Sequence, residues 1–230
     1  MRRAQALTVV GAAVLLVAGC SNRPNDLYSY YDAPAPPTVP VSTAPVVGAT
    51  SSPTATSSAP ARSDQAVAAA MTEKDLKAEG VIAQGAPVPE VLAVLPDCGA
   101  ELGTATAGVR TTWRYASGSM LRQYVAGYPD DAAVTVGTVR EALTCGTFRV
   151  EGTPYRIDEG VDVTALSDVD AKDSWCATAQ RLSICTLILA KGPVVTVVSV
   201  EAGTAARARA AVARIAPIAV NSLARDQDTA

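Results

Sequence analysis

An α+β fold is predicted for residues 63–226: an antiparallel β-sheet with helices packed on one face, stapled by disulfides. Three observations carry this reading. Trp175–Ala179, Leu182–Ala190 and Val194–Val200 are three successive β-branched and apolar runs, the second and third separated by the break Lys191-Gly192-Pro193. Val109–Ala116 and Met120–Tyr128 form another such pair about a Ser-Gly turn. After the last run, Thr204 offers an N-cap to an alanine-rich segment with helical spacing. Consecutive hairpins followed by an amphipathic helix give a sheet with helices laid against it.

The elements follow in order. Ser63–Leu76 reads as a weak helix. Pro87 and Pro89 open a short second helix, Glu90–Leu95, which Pro96 stops and which delivers Cys98. Beyond the first hairpin, Pro129-Asp130-Asp131 starts a helix with carboxylates in its first turn, where the helix dipole favours them. It runs through Ala142 to Cys145, with Gly146 as its stop. Phe148–Asp158 and Val161–Leu166 read as two further strands. In the last helix, at about 100° per residue, Val212, Ile215, Ala216, Ala219 and Leu223 share one stripe. Arg207, Arg214 and Arg225 fall opposite. Ile218 departs from the stripe, and Pro217 kinks or restarts the helix.

In front of this domain the chain carries an address and a leash. Arg2 and Arg3 precede an apolar run from Ala6 to Ala18, which ends in Val17-Ala18-Gly19-Cys20. A basic start, a short apolar stretch and small residues at a cut point are the parts of a secretory signal, here residues 1–19. The stretch is shorter than the about 20 residues that span a bilayer. Leu16-Val17-Ala18-Gly19-Cys20 resembles the lipobox of bacterial lipoproteins, which implies lipid transfer to the Cys20 thiol and cleavage before it. Residues 20–62 then read as the lipidated terminus and a linker. From Ala33 to Ala61 there are seven prolines and no charged residue, a composition that cannot bury enough apolar surface to offset its ordering entropy. Its Ser/Thr-Pro character suits O-glycosylation. Tyr28, Tyr30 and Tyr31 lie close to the lipid, where aromatic rings can settle at headgroup level or stay solvated.

Five cysteines are present, and Cys20 is the odd one out. In an oxidising compartment the other four are expected to form two disulfides. A two-residue turn at Gln180-Arg181 would set Cys176 directly opposite Cys185 at a non-hydrogen-bonded position, where a cross-strand bridge fits. That leaves Cys98 with Cys145. A zinc site is the competing use, but there is no CxxC spacing and the 230-residue chain contains no histidine.

The missing histidine also excludes Ser-His-Asp and Cys-His catalysis and the commonest metal ligand. Removing residues 1–19 takes two arginines and no acids, so the net charge falls from −3 to −5. Weak acidity without a basic block argues against nucleic acid as partner. Abundant alanine and arginine suit a high-GC actinobacterium. No GxGxxG, GxxxxGK or GxSxG pattern occurs, and Ser117 and Ser119 have no recognisable base. Asp168, Asp170 and Asp173 form an acidic turn, but Lys172, Asp173 and Ala179 fall where a calcium loop needs a ligand, a glycine and a glutamate. A solvated loop is expected there. Trp113, Tyr115, Arg122 and Tyr124 should project from one face of the first hairpin if its turn is close. Such a face either binds a sugar, lipid or small anion, or is core beneath a helix with the arginine at its edge.

Two stretches resemble a known family. Tyr128-Pro129-Asp130-Asp131-Ala132-Ala133 leading into the Cys145 helix is one. The run from Cys185 through Lys191-Gly192-Pro193 to Val200, followed by the alanine-rich helix, is the other. Over roughly residues 90–224 the chain resembles the extracellular sensor domain of mycobacterial receptor kinases of the PknH type, which also occurs in stand-alone lipoproteins. That family tends to have a tryptophan shortly before the helix cysteine and a cysteine after the last strand. Ala142-Leu143-Thr144 and Glu201-Ala202-Gly203 stand there instead, which implies that one disulfide is wired differently.

The expected function is a membrane-anchored, extracytoplasmic lipoprotein displaying a non-enzymatic ligand-binding or sensor-like module. Its partners would be the membrane, through lipid on Cys20, and an unknown small molecule, glycan or envelope protein. No cofactor, metal or catalytic residue is expected. A lipid or glycolipid carrier is the alternative, and an envelope enzyme using carboxylates comes third.

Overall fold

Short turns between β-rich runs make neighbours in sequence neighbours in space. The computed structural model describes residues 62–227, and nine strands in this region join one antiparallel sheet. They are β1 (Val81–Ala83), β2 (Val88–Pro89), β3 (Ala107–Tyr115), β4 (Met120–Gly127), β5 (Thr147–Val150), β6 (Thr153–Glu159), β7 (Ala171–Thr178), β8 (Ser183–Lys191) and β9 (Val194–Ala202). Their order is β1-β3-β4-β9-β8-β7-β6-β5, with β2 also paired to β3. Three helices complete the fold: α1 (Arg62–Ala68), α2 (Ala133–Ala142) and α3 (Ala205–Gln227). The signal segment, Cys20 and the linker with Tyr28, Tyr30 and Tyr31 lie outside the described residues.

The expected α+β class and antiparallel sheet are present, but the helices occupy both faces. α1 and α3 pack on one face with Val109, Trp113, Leu121, Leu187, Leu189, Val198 and Val200. α2 packs on the other, where Val136 and Val139 join Trp175, Ile188, Ala190, Val195 and Val197. The central strands run without alternation, as in Leu187-Ile188-Leu189-Ala190, because both their faces are buried. On α3 the anticipated stripe is the buried one: Val212, Ile215, Ala216, Ala219 and Leu223 are each at most 4% exposed. Full burial of the larger of these side chains stabilises by about 1.5–3 kcal/mol each. Thr204 caps this helix, its Oγ1 accepting from the Arg207 N–H at 3.3 Å, and the helix continues through Pro217.

Three expected elements differ, each for a local reason. The first helix stops at Ala68, well short of Leu76. The Met71 N–H, which a longer helix would use internally, donates instead to buried Gln123 Oε1 at 2.7 Å, and the Thr72 N–H donates to Asp75. Arg214 pairs with Glu79 and Arg225 with Asp75, holding this segment against α3. No helix forms over Glu90–Leu95. Pro89 lies in β2, the Glu90 N–H donates to Gly108 O at 3.0 Å, and the Leu92 N–H donates to the Tyr124 hydroxyl. With those donors committed to the sheet, the segment stays extended. Nor is Val161–Leu166 a strand, because the Ser174 side chain takes over pairing there. Its hydroxyl accepts the Val161 N–H at 2.7 Å and donates to the Val161 carbonyl at 2.8 Å. Val161, Val163 and Leu166 still pack on the α3-side core, which accounts for the apolar residues that read as a strand.

Both disulfides are present. Gln180-Arg181 forms the two-residue turn, with the Ala179 N–H donating to Leu182 O, and it sets Cys176 opposite Cys185 at a Cα–Cα distance of 4.0 Å. Cys98 is bonded to Cys145, tying the turn after Pro96 to the end of the α2 region. Phe148–Asp158 is a hairpin rather than one strand, turning at Glu151-Gly152. The α2 helix begins at Ala133, later than Pro129, with Asp131 accepting from the Ala133 N–H.

Candidate functional site

The first hairpin decides which side chains can form a site together. Its loop has three residues, Ala116, Ser117 and Gly118. The Gly118 N–H donates to Tyr115 O, the Tyr115 N–H donates to Ser119 O, and Gly118 sits at φ 84. A left-handed glycine closing a three-residue loop forms a bulge that changes the parity of the pairing. Thr112 therefore faces Arg122, and Arg110 faces Tyr124.

The expected common face of Trp113, Tyr115, Arg122 and Tyr124 is thus corrected: it is two faces. Trp113 is 3% exposed in the core shared with α1 and α3. Tyr115 packs beside it, with its hydroxyl 3.5 Å from Glu79 Oε2. Burial, reinforced by the Glu79 carboxylate, pushes the Tyr115 phenol up to about 12. Arg122 and Tyr124 lie on the opposite face in company with Arg110, and there they line a groove.

That groove has a volume of about 210 Å³. Leu92, Leu95, Pro96 and Asp97 form its wall, and Arg110, Arg122, Tyr124, Ile184, Thr186 and Val197 belong to the sheet beneath. The wall is fixed at several points. The Leu92 N–H donates to the Tyr124 hydroxyl at 2.6 Å, Arg110 Nε meets Glu90 Oε2 at 2.5 Å, and the Cys98–Cys145 bridge anchors the far end. Gly108 allows the wall to lie close. A Cβ built there would come within 2.1 Å of the Glu90 carbonyl oxygen and 2.9 Å of the Tyr124 hydroxyl.

At the end of the wall stands Asp97, 8% exposed. The Trp175 indole N–H donates to its Oδ1 at 3.1 Å. Burial pushes the Asp97 carboxyl above its ordinary value, partly offset by the indole and by its own backbone N–H. Burial likewise raises the Tyr124 phenol, against the lowering effect of the Leu92 backbone bond. Arg122 pairs with Glu201 at 3.1 Å. Asp97, Trp175, Arg110 and Glu90 were not among the residues singled out from the sequence. The usable signals were the Pro96-Asp97-Cys98 elbow and the glycine in the hairpin turn.

Elsewhere, Trp113 lines a second hollow of about 290 Å³ with Val67, Met71, Ala83 and Val109. The carboxylates of the acidic turn serve separate partners. Asp170 accepts from the Gly192 N–H, Asp173 from Arg140 and the Ser174 N–H, and Asp168 from the Ser167 hydroxyl. Among the described residues no group of three or more carboxylates or cysteines could hold a metal ion, and no helix is long and apolar enough to cross a membrane.

No family model matches the chain, and no curated protein matches it. Among solved structures it is similar to the extracellular domain of PknH from Mycobacterium tuberculosis, with a TM-score of 0.53 and 16% identity. The match covers 72% of this chain and 98% of that one. At this identity the likeness is one of fold, and at that level it agrees with the resemblance drawn from the Tyr128 and Cys185 stretches.

Proposed function

We propose that the chain is a non-enzymatic ligand-binding module of the sensor type, tethered by lipid on Cys20 to the extracytoplasmic face of the membrane. Its ligand sits in the groove between Leu92–Asp97 and the sheet. The observation that carries this reading is the groove itself: mostly apolar, with a few polar groups at fixed positions and a wall held by hydrogen bonds and a disulfide. A binding role also suits a fold shared with a domain described as extracellular. Catalysis has less support. The sequence offers no histidine, and Asp97 is the one carboxylate among the groove-lining residues. Carriage of a whole lipid is disfavoured by size. The two apolar hollows, of about 290 and 210 Å³, lie below the roughly 300 Å³ at which pockets for drug-sized ligands begin.

Native mass spectrometry of the full chain, gently extracted from its own envelope, tests the reading. A small molecule co-purifying in stoichiometric amount is expected. Its absence under conditions that preserve both disulfides would overturn it.

A further inference from the structure

The groove's charges do not balance, and the imbalance has a sign. Arg110 is neutralised by Glu90 and Arg122 by Glu201, each through a contact of 3.1 Å or less. Asp97 has no such counterpart: among the described residues no ion pair includes it. Among the described residues its carboxylate accepts only from neutral donors, the Trp175 indole N–H and its own backbone N–H. A carboxylate taken out of water costs free energy unless a charge or several donors compensate it, and here the indole and one backbone N–H leave burial dominant.

We infer that the groove recognises a small cationic group, an ammonium or guanidinium on a short apolar body, with the cation against Asp97 and the body against Leu92, Leu95 and Val197. This rests on the groove being the binding site. The volume of about 210 Å³ lies below the roughly 300 Å³ where pockets for drug-sized ligands begin, so the group is small. A cation there supplies the compensation the fold omits, through charge-assisted hydrogen bonds of the kind that exceed neutral ones in strength. An anionic ligand would have to separate Arg110 from Glu90 or Arg122 from Glu201, and would leave Asp97 uncompensated.

The test uses the two indole N–H resonances of the full chain, whose sequence has only Trp113 and Trp175. Hexylammonium, hexan-1-ol and hexanoate are titrated in parallel; they share one apolar body and differ in charge. The inference expects hexylammonium to shift the Trp175 indole saturably, at least tenfold more tightly than either of the others, while the Trp113 indole, which lines the second hollow, reports any binding there and shows no such preference. Asp97→Asn, which keeps an oxygen for the indole, should abolish the preference. If hexan-1-ol or hexanoate binds as tightly as hexylammonium, or Asp97→Asn keeps the preference, the cation inference falls while the groove remains a site. If none of the three binds, both readings fall. Should Asp97→Asn not fold, the wild-type comparison of the three probes decides alone.

Discussion

Trp175 Nε1 donates to Asp97 Oδ1 at 3.1 Å across 78 positions of sequence, joining the middle of β7 to the elbow that carries Cys98. The bond fixes the end of the groove wall, and the carboxylate it holds sits where burial penalises its charge. Its pH dependence follows. The Asp97 carboxyl holds its proton to higher pH in the fold than in the unfolded chain, so the contribution of this group favours folding most at low pH. That contribution is lost as pH rises through the folded value. Asp75, whose carboxyl is held low by Arg225 and Thr72 against the opposing effect of burial, works in the opposite direction. Total stability therefore mixes the two, and the comparison must isolate Asp97.

Asp97→Asn removes the charge and keeps the oxygen. Relative to wild type, it should be more favourable at pH 7 than at pH 4, the difference closing as wild-type Asp97 takes up its proton. Asp97→Ala also strips the indole of its partner and should cost about 1–3 kcal/mol. Urea denaturation at both pH values checks this. A difference between Asp97→Asn and wild type that does not vary with pH would contradict it.

The Cys98–Cys145 bridge spans 47 positions and anchors the groove wall. On the chain-entropy account, its removal by Cys98→Ala with Cys145→Ala should destabilise by about 4 kcal/mol, against about 2.7 kcal/mol for the Cys176–Cys185 pair. The two pairs should also differ in where they loosen the fold. Losing the first should speed amide exchange at Leu92 and Leu95, which lie on the wall. Losing the second should leave those amides protected until global unfolding.

Gly108→Ala probes how closely the wall approaches. The added methyl meets the Glu90 carbonyl, which is backbone and cannot rotate away, so the wall must lift. A cost of about 1–3 kcal/mol is expected. Exchange should increase at Glu90 and Leu92 before it increases in β8 or β9. Unchanged protection at Glu90 would show that the wall is not seated as described.

The tether has its own test. Lipid on Cys20 predicts that Cys20→Ser moves the chain from the membrane fraction to the soluble one. It also predicts that the wild-type amino terminus, by mass spectrometry, begins at an acylated Cys20. An unmodified terminus would remove the anchor from the proposal.

Much of the fold was readable because its determinants are local. The Thr204 cap, the Val212–Leu223 stripe and the Gln180-Arg181 turn lie in sequence beside what they control, and the turn alone places Cys176 against Cys185. What escaped was set by distant partners. Gln123 takes the Met71 N–H from α1, and Tyr124 takes the Leu92 N–H from a would-be helix. Ser174 takes Val161 out of strand pairing. Helices were expected on one face, whereas α2 covers the other; the unbroken apolar runs of β8 and β9 are what a sheet buried on both faces requires. The site was half legible. Arg122 and Tyr124 line the groove, but Gly118 at positive φ gives the hairpin an odd loop. That one residue sends Trp113 and Tyr115 into the opposite face.

The central claim is that the ligand occupies the groove under Leu92–Asp97 and not the hollow beside Trp113. Native mass spectrometry of two filled variants, extracted as the wild type is, tests it most directly. Ser199→Phe places a ring in the groove, and Ala83→Phe places one in the other hollow. The account predicts that Ser199→Phe loses the co-purifying molecule while Ala83→Phe retains it. Retention by Ser199→Phe with loss from Ala83→Phe would contradict the account.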